Sequence, residues 1–201
     1  MKKYFIVAGE PSGDLHGSKL IKAIKHLNPN SSFMGHGGDS MRNEGMHIIE
    51  HVDSLAIMGF AEVLRHLPRM NKIMRNTVGA IERSKPDRVI LIDYPGFNLR
   101  LAKRLSPLKI PITYFILPQA WAWKQSRVKV LKRFIDQSIS IFPFENDWYK
   151  KHGLRVDYFG HPFVDIEHFN ETTKSFYKRH SLNINNPILT LLPGSRQQEV
   201  D

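Results

Sequence analysis

Asp93 follows Val89-Ile90-Leu91-Ile92, four apolar residues with no polar alternation. Such a run reads as a strand buried on both faces, and Pro86-Asp87 and Pro95-Gly96 punctuate its two ends. A carboxylate at the carboxyl end of an interior strand lies where open α/β sheets hold ligands. There it can serve as a general base, or it can cap the next helix or hold a turn. Burial raises the pKa of such a group and basic neighbours lower it. Asn98, on the first turn of the following helix, can orient a hydroxyl or act as a cap. Glu10 and Asp14 stand in a second polar turn, Gly9-Glu10-Pro11-Ser12-Gly13-Asp14, between a first strand and a helix. Turns of this kind aim backbone N–H groups and a helix dipole at anions or hydroxyls. The turn is neither a G-x-G-x-x-G fingerprint nor a P-loop, and its two carboxylates suit hydroxyl recognition better than a plain phosphate cradle. Trp121 and Trp123 flank Ala122, beside Lys124 and Arg127. They can stack on a sugar, meet an acyl chain, stack on a nucleic-acid base, or close over the end of a sheet.

These groups need a scaffold, and the chain alternates strand and helix patterns throughout. Tyr4–Ala8 reads as the first strand. A helix follows with Leu20, Ala23, Ile24 and Leu27 on one face, stopped by Asn28-Pro29-Asn30. Strands are expected from Ser32 to Gly35 and His47 to Glu50, with a short helix between Ser40 and Glu44. An apolar loop around Met58-Gly59-Phe60 leads into a helix through Leu67, and Pro68 is expected to begin another. The second shows Met70, Ile73, Met74, Val78 and Ile81 at helical spacing. Beyond Asp93, strands are expected at Pro111–Leu117, Gln137–Phe142 and Val156–Phe159. Helices are expected at Asn98–Leu105, Lys124–Phe134 and Pro143–His152. Strict alternation of this sort predicts an α/β fold with a Rossmann-like, doubly wound, mainly parallel sheet. Gly160-His161-Pro162 reads as a boundary. A polar stretch with one helix near Thr172–His180 follows, then a fresh strand at Ile188–Leu192 and the turn Pro193-Gly194-Ser195-Arg196. The expected domains are therefore 1–163, a linker with a short helix at 164–186, and the start of a truncated second α/β domain at 187–201.

Composition narrows the classes. The 201 residues are 41% hydrophobic, enough for one packed core, and the formal charge of +10 favours anionic partners. No carboxylate occurs between Asp93 and Asp136, an interval that holds nine lysines and arginines. There is no cysteine, hence no disulfide framework and no thiolate zinc site. The ten histidines show no H-E-x-x-H or similar ligand spacing, and His161 reads as structural or as an interface residue. No metal and no cofactor are expected. No G-x-S-x-G elbow supports a serine hydrolase. The N-terminal apolar run is too short for a signal peptide, and no run approaches a spanning helix. Met58, Phe60, Arg69 and Lys72 mark a surface that can lie against a membrane.

Several motifs stand in a specific order: Ala8-Gly9-Glu10-Pro11-Ser12-Gly13-Asp14, Met58-Gly59-Phe60-Ala61-Glu62-Val63-Leu64, Ile92-Asp93-Tyr94-Pro95-Gly96-Phe97-Asn98, Trp121-Ala122-Trp123-Lys124, Pro143-Phe144-Glu145, Gly160-His161-Pro162 and Leu192-Pro193-Gly194-Ser195-Arg196. Together they closely resemble the lipid-A-disaccharide synthase family along the whole chain. The resemblance implies a metal-independent, inverting glycosyltransferase of the GT-B type, with two Rossmann-like domains facing across a cleft. It implies transfer from UDP-2,3-diacylglucosamine to 2,3-diacylglucosamine 1-phosphate, giving the β-1,6 disaccharide 1-phosphate and UDP. Asp93 matches the candidate base, and Glu10 the glutamate that arranges acceptor or base. Ser12, Asp14, Asn98, Trp121 and Trp123 fall on the acceptor side, and Gly194, Ser195 and Arg196 on the loop that receives the UDP phosphates. The implied location is cytoplasmic, peripheral on the inner membrane, whose anionic surface suits a basic protein. Oligomeric state is not fixed by the sequence, and a homodimer of a full-length protein stays open.

The chain departs from the commonest family pattern at Gly96, where Asp is usual, and at Leu117-Pro118-Gln119-Ala120, where Ser-Pro-Ser-Val is usual. The first departure leaves Asp93 as the only carboxylate of its loop. A chain that ends early in the second domain is expected to have little transferase activity alone. Two other readings compete: a related transferase acting on another lipid-linked sugar, and a basic nucleic-acid-binding α/β module. The resemblance disfavours nucleic acid as a partner.

Overall fold

The computed structural model describes residues 1–56, 63–164 and 171–192. It divides into two compact units, Met1–Val164 and Asp165–Asp201. The first carries a sheet of β1 (Lys3–Ala8), β2 (Ser32–Gly37), β3 (His47–His51), β4 (Arg88–Ile92), β5 (Ile112–Phe115), β6 (Gln137–Ser140) and β7 (Asp157–Tyr158). The helices between them are α1 (Pro11–Leu27), α2 (Asp39–Asn43), α3 (Val52–Ala56), α4 (Val63–Ser84), α5 (Pro95–Leu105), α6 (Arg127–Phe134) and α7 (Pro143–Lys151). The strands lie in the order β3-β2-β1-β4-β5-β6-β7, and every neighbouring pair is parallel. This is the expected doubly wound Rossmann-like sheet.

Side-chain alternation sorts the core onto the two faces. In β1, Phe5 and Val7 join one apolar cluster while Ile6 and Ala8 join the other. In β4, Val89 and Leu91 go with the first and Ile90 and Ile92 with the second. That is the period of two that a strand imposes. Ile73, Met74 and Ile81 of α4 and Leu101, Ala102 and Leu105 of α5 cover the first face. Ile21 of α1 and Met41 of α2 cover the second. A Cβ on Gly17 would lie 1.9 Å from Met41 Cε, so glycine lets α1 and α2 sit close together.

Chain order reverses between β1 and β4. The register pairs Ala8 with Ile92, so the loops after these strands leave from adjacent points at the carboxyl end of the sheet. Open α/β sheets bind ligands at such a switch point.

Two elements differ from expectation. Pro68 does not begin a helix; it lies inside α4. It costs the helix one backbone bond near its start, while the apolar stripe from Met70 to Ile81 holds the helix on the sheet. The second unit contains α8 (Thr173–Arg179), whose N-cap Thr172 accepts from the Ser175 amide at 3.2 Å. Ile188–Leu192 forms no strand, and Leu189 and Leu192 are exposed. A strand needs a partner ladder for its backbone groups, and the described residues give this segment none.

Candidate active site

The turn after β4 is strained. Asp93 and Tyr94 have φ values of +43° and +47°, left-handed conformations that cost a side-chain-bearing residue about 1–2 kcal/mol each. Neighbouring groups enforce the turn. The Asp93 amide donates to the Phe115 carbonyl at 3.0 Å. The Asp93 carbonyl accepts from Asn98 Nδ2 at 2.8 Å and from the Tyr114 hydroxyl at 2.6 Å. The Tyr94 carbonyl accepts from the amides of Phe97 and Asn98. Strain held this firmly clusters at functional sites. Here it turns the chain sharply at the mouth of an interior strand and leaves Asp93 partly buried there.

Glu10 stands in the turn after β1, on the other side of the switch point. It is the extended N-cap residue of α1, and its charge is felt at Tyr94. Burial is the main cause that raises the Tyr94 pKa, and Glu10 adds to it. Likewise, burial holds the Tyr114 pKa well above the ordinary range, with the Asp93 carboxylate adding to the effect. The ring of Tyr94 lies across Gly9, where a Cβ would come within 2.2 Å of it. Thus the two carboxylates flank one switch point, with Tyr94 packed between the turns that carry them.

Asn98 and Asp14 are placed differently from a surface-binding role. Asn98 is fully buried, and its amide nitrogen bridges the carbonyls of Val7, Ile92 and Asp93 at 3.4, 3.2 and 2.8 Å. It ties the ends of β1 and β4 together and so positions Asp93. The helix α1 begins at Pro11, so Ser12, Gly13 and Asp14 belong to its first turn and not to a loop. Ser12 is exposed there. Asp14 is turned inward. Its Oδ1 accepts from the amides of Gly38 (2.7 Å) and Met41 (3.1 Å), and its Oδ2 from that of Ser40 (3.0 Å). A carboxylate at the amino end of α2 complements that helix's dipole.

Beyond β5 the two tryptophans have separate roles. Trp121 is anchored: its indole N–H donates to Glu145 Oε1 at 3.1 Å, and its ring meets Phe144 edge-on. Trp123 is half exposed, with Lys124 Nζ 4.1 Å and the Arg127 guanidinium 4.9 Å from its ring centroid. Glu145 and Tyr149 on α7 hold this loop from beneath. Burial raises the Glu145 pKa, partly offset by hydrogen bonds from Trp121 and the backbone of Phe142 and Ile141. The buried Tyr149 hydroxyl donates to the Pro118 carbonyl at the loop's start. Sequence reasoning gave no role to Tyr94, Tyr114, Glu145 or Tyr149. Tyr94 and Glu145 stand in the quoted motifs Ile92–Asn98 and Pro143–Glu145 without a role of their own, and no motif marks Tyr114 or Tyr149.

Arg69 and Lys72 are exposed on α4. Met58, Phe60, Gly194, Ser195 and Arg196 lie outside the described residues. Among the described residues, no helix is long and apolar enough to cross a membrane, and no group of three metal-ligating side chains gathers.

Two carboxylates at a switch point can deprotonate and orient a hydroxyl, and an anchored aromatic loop beside them can hold a ring. A family model described as lipid-A-disaccharide synthetase matches residues 4–201. The lipid-A-disaccharide synthase of Myxococcus xanthus is 38% identical over 98% of this chain and 52% of its own length. That of Acidobacterium capsulatum is 41% identical over 98% of this chain and 49% of its own. The chain thus spans about half the length of the relatives it matches. Among solved structures, an S. aureus MnaA–UDP complex superposes with a TM-score of 0.64 at 14% identity, covering 90% of this chain and 52% of that one. A UDP-GlcNAc 2-epimerase from Neisseria meningitidis, bound to UDP-GlcNAc, gives 0.59 at 12%, covering 82% and 47%. Those likenesses are of fold alone.

Proposed function

The chain belongs to the lipid-A-disaccharide synthase family, and from that premise we propose that it is the acceptor-side portion of a glycosyltransferase of lipid A assembly. The substrates are UDP-2,3-diacylglucosamine and 2,3-diacylglucosamine 1-phosphate. Asp93 takes the proton of the acceptor's 6-hydroxyl. The oxygen attacks the donor's anomeric carbon from the face opposite UDP, a β-1,6 bond forms, and UDP leaves with the electrons of the broken C–O bond. Glu10 orients the hydroxyl from the other side of the switch point, and Trp121 and Trp123 cover the sugar. Ser12 presents its hydroxyl at the amino end of α1. Arg196, with Gly194 and Ser195, neutralises charge growing on the UDP phosphates, so that no metal is needed. The exposed Arg69 and Lys72 suit a peripheral position on the anionic cytoplasmic face of the inner membrane.

The observation that carries this reading is the strained Asp93–Tyr94 turn beside Glu10 at the β1–β4 switch point. The test is saturable binding of 2,3-diacylglucosamine 1-phosphate in mild detergent, with a single-stranded oligonucleotide at low and moderate salt as comparison. UDP release is then measured in a version extended to the length of the relatives. Asp93→Asn should leave the fold and acceptor binding intact, since Asn also tolerates a left-handed turn, and lower transfer at least a hundredfold. Oligonucleotide binding without acceptor binding in both versions refutes the reading. Robust turnover by the 201-residue chain alone refutes the assignment of this portion to the acceptor side.

A further inference from the structure

His16 is a buried base at the same sheet end that the proposed chemistry leaves unused. It is 8% exposed, and its Nδ1 has no hydrogen-bond partner among the described residues. Its ring meets Phe115 edge-on at 6.5 Å, and Phe115 is the residue whose carbonyl receives the Asp93 amide. The imidazole therefore stands beside the end of β5, whose last residue pairs with Ile92 at the end of the strand that carries the base.

Two other basic groups close on it. His161, from the Gly160-His161-Pro162 motif, packs on the Phe163 ring at 5.2 Å, and His16 packs on that ring at 5.1 Å. Lys19 Nζ lies 5.7 Å from the same centroid and donates to the Pro162 carbonyl at 3.4 Å. His16 and Lys19 are three residues apart on α1 and share a face, with Ser12 one turn before them. Burial is the main cause that lowers the His16 pKa, and the charges of Lys19 and His161 lower it further. Among the described residues no carboxylate enters that balance: Asp14 faces α2 and is taken up by three amides. Among the described residues, three protonatable groups gather with no carboxylate against them, and one has an idle buried ring nitrogen; a bound anion would offset the charge that protonation brings there. A site built only for packing would be served as well by an aliphatic side chain.

We propose that His16, Lys19 and His161 form a phosphate subsite beside Asp93, taking a phosphate group of a sugar substrate through charge-assisted hydrogen bonds. The proposal rests on the glycosyl-transfer reading, which supplies two sources of this chemistry: the acceptor's 1-phosphate and the diphosphate of UDP. The subsite assigns a role to the Gly-His-Pro motif and explains why a histidine is buried on α1 at this end of the sheet.

The experiment uses the 201-residue chain with isotopically labelled histidine, followed by NMR, the two resonances being assigned from His16→Gln and His161→Gln. Glucosamine 1-phosphate, UDP and inorganic phosphate are titrated in separate arms, with glucosamine as the uncharged control. Saturable shifts of both imidazoles, with titration midpoints raised by about one pH unit, support the subsite. A response to glucosamine 1-phosphate alone assigns it to the acceptor, and one to UDP alone to the donor. The exposed Lys19→Met should weaken binding about tenfold without disturbing the fold. No shift with any phosphate, or equal affinity in Lys19→Met, overturns the proposal. Tryptophan fluorescence with 2,3-diacylglucosamine 1-phosphate in detergent separates the two layers. A tryptophan response without imidazole shifts overturns the subsite and leaves the acceptor reading standing. Imidazole shifts without a tryptophan response uphold the subsite and count against that reading.

Discussion

Acid should unfold this chain through His36, a residue of β2 far from any proposed chemistry. His36 is 1% exposed. The Thr77 hydroxyl donates to the Ile73 carbonyl at 2.7 Å, so its lone pair receives the His36 Nε2–H at 2.9 Å. That fixes the tautomer and leaves Nδ1 as the atom to be protonated. Nδ1 is buried with no partner among the described residues, so a proton there would place an unpaired charge in the core. Burial accordingly lowers the His36 pKa from 6.5 to about 4. Between those values the unfolded chain binds a proton that the folded chain refuses, and stability falls as pH falls. The slope is about 1.4 kcal/mol per pH unit, and the accumulated loss at pH 5 relative to pH 7 is about 2 kcal/mol. The assay is urea unfolding at pH 5, 6 and 7, followed by the fluorescence of Trp121, Trp123 and Trp148. His36→Gln can keep a polar contact with Thr77 and cannot titrate. It should cost stability at pH 7 but flatten the pH dependence by those 2 kcal/mol. If wild type and His36→Gln lose the same stability between pH 7 and pH 5, the account of His36 is wrong.

Other perturbations give equally direct readings. Asp14→Ala strands the amides of Gly38, Ser40 and Met41 and should cost about 2–3 kcal/mol, with faster amide exchange at 38–41; a loss within 0.5 kcal/mol would sink the structural role. Glu145→Leu leaves the Trp121 indole N–H without its acceptor and should cost about 1–3 kcal/mol, visible also as a displaced Trp121 indole resonance. Glu145→Gln keeps an acceptor and removes the charge. Because burial raises the Glu145 pKa above its ordinary value of 4.5, its contribution is full below that value and is lost as pH rises through the raised one. Glu145→Gln should abolish that slope, which runs opposite to the slope from His36; an unchanged pH profile would refute the assignment.

The sheet was legible because buried parallel strands need continuous or alternating apolar residues, and Phe5–Ala8 and Val89–Ile92 supply them. The placement of Asp93 at a strand mouth followed from the same pattern. The inward turn of Asp14 did not. Pro11 is a known first residue of helices and could have moved the helix start forward, but the partners of Asp14 lie 24–27 positions away, and local sequence carries no record of them. The tyrosines that fix the two loops were hidden for a related reason. Tyr114 reads as one more strand residue until its hydroxyl is seen to reach a carbonyl 21 positions earlier. Ile188–Leu192 has a strand's composition, but a strand is a relation between segments and not a property of one.

Gly9 and Tyr94 occupy one space between them, and this has an evolutionary consequence. Tyr94 holds a backbone conformation that glycine would adopt without strain, while Gly9 has room for no side chain beneath the ring. Neither position can drift alone. A side chain at 9 becomes admissible only after the ring at 94 is lost, and loss of the ring uncovers the crevice between Glu10 and Asp93. A single step that removes the ring or adds a side chain beneath it is therefore closed at both sites, whereas a side chain at Gly96, two positions from Tyr94, meets nothing within 4 Å. Lineages should change 9 and 94 together or leave both alone.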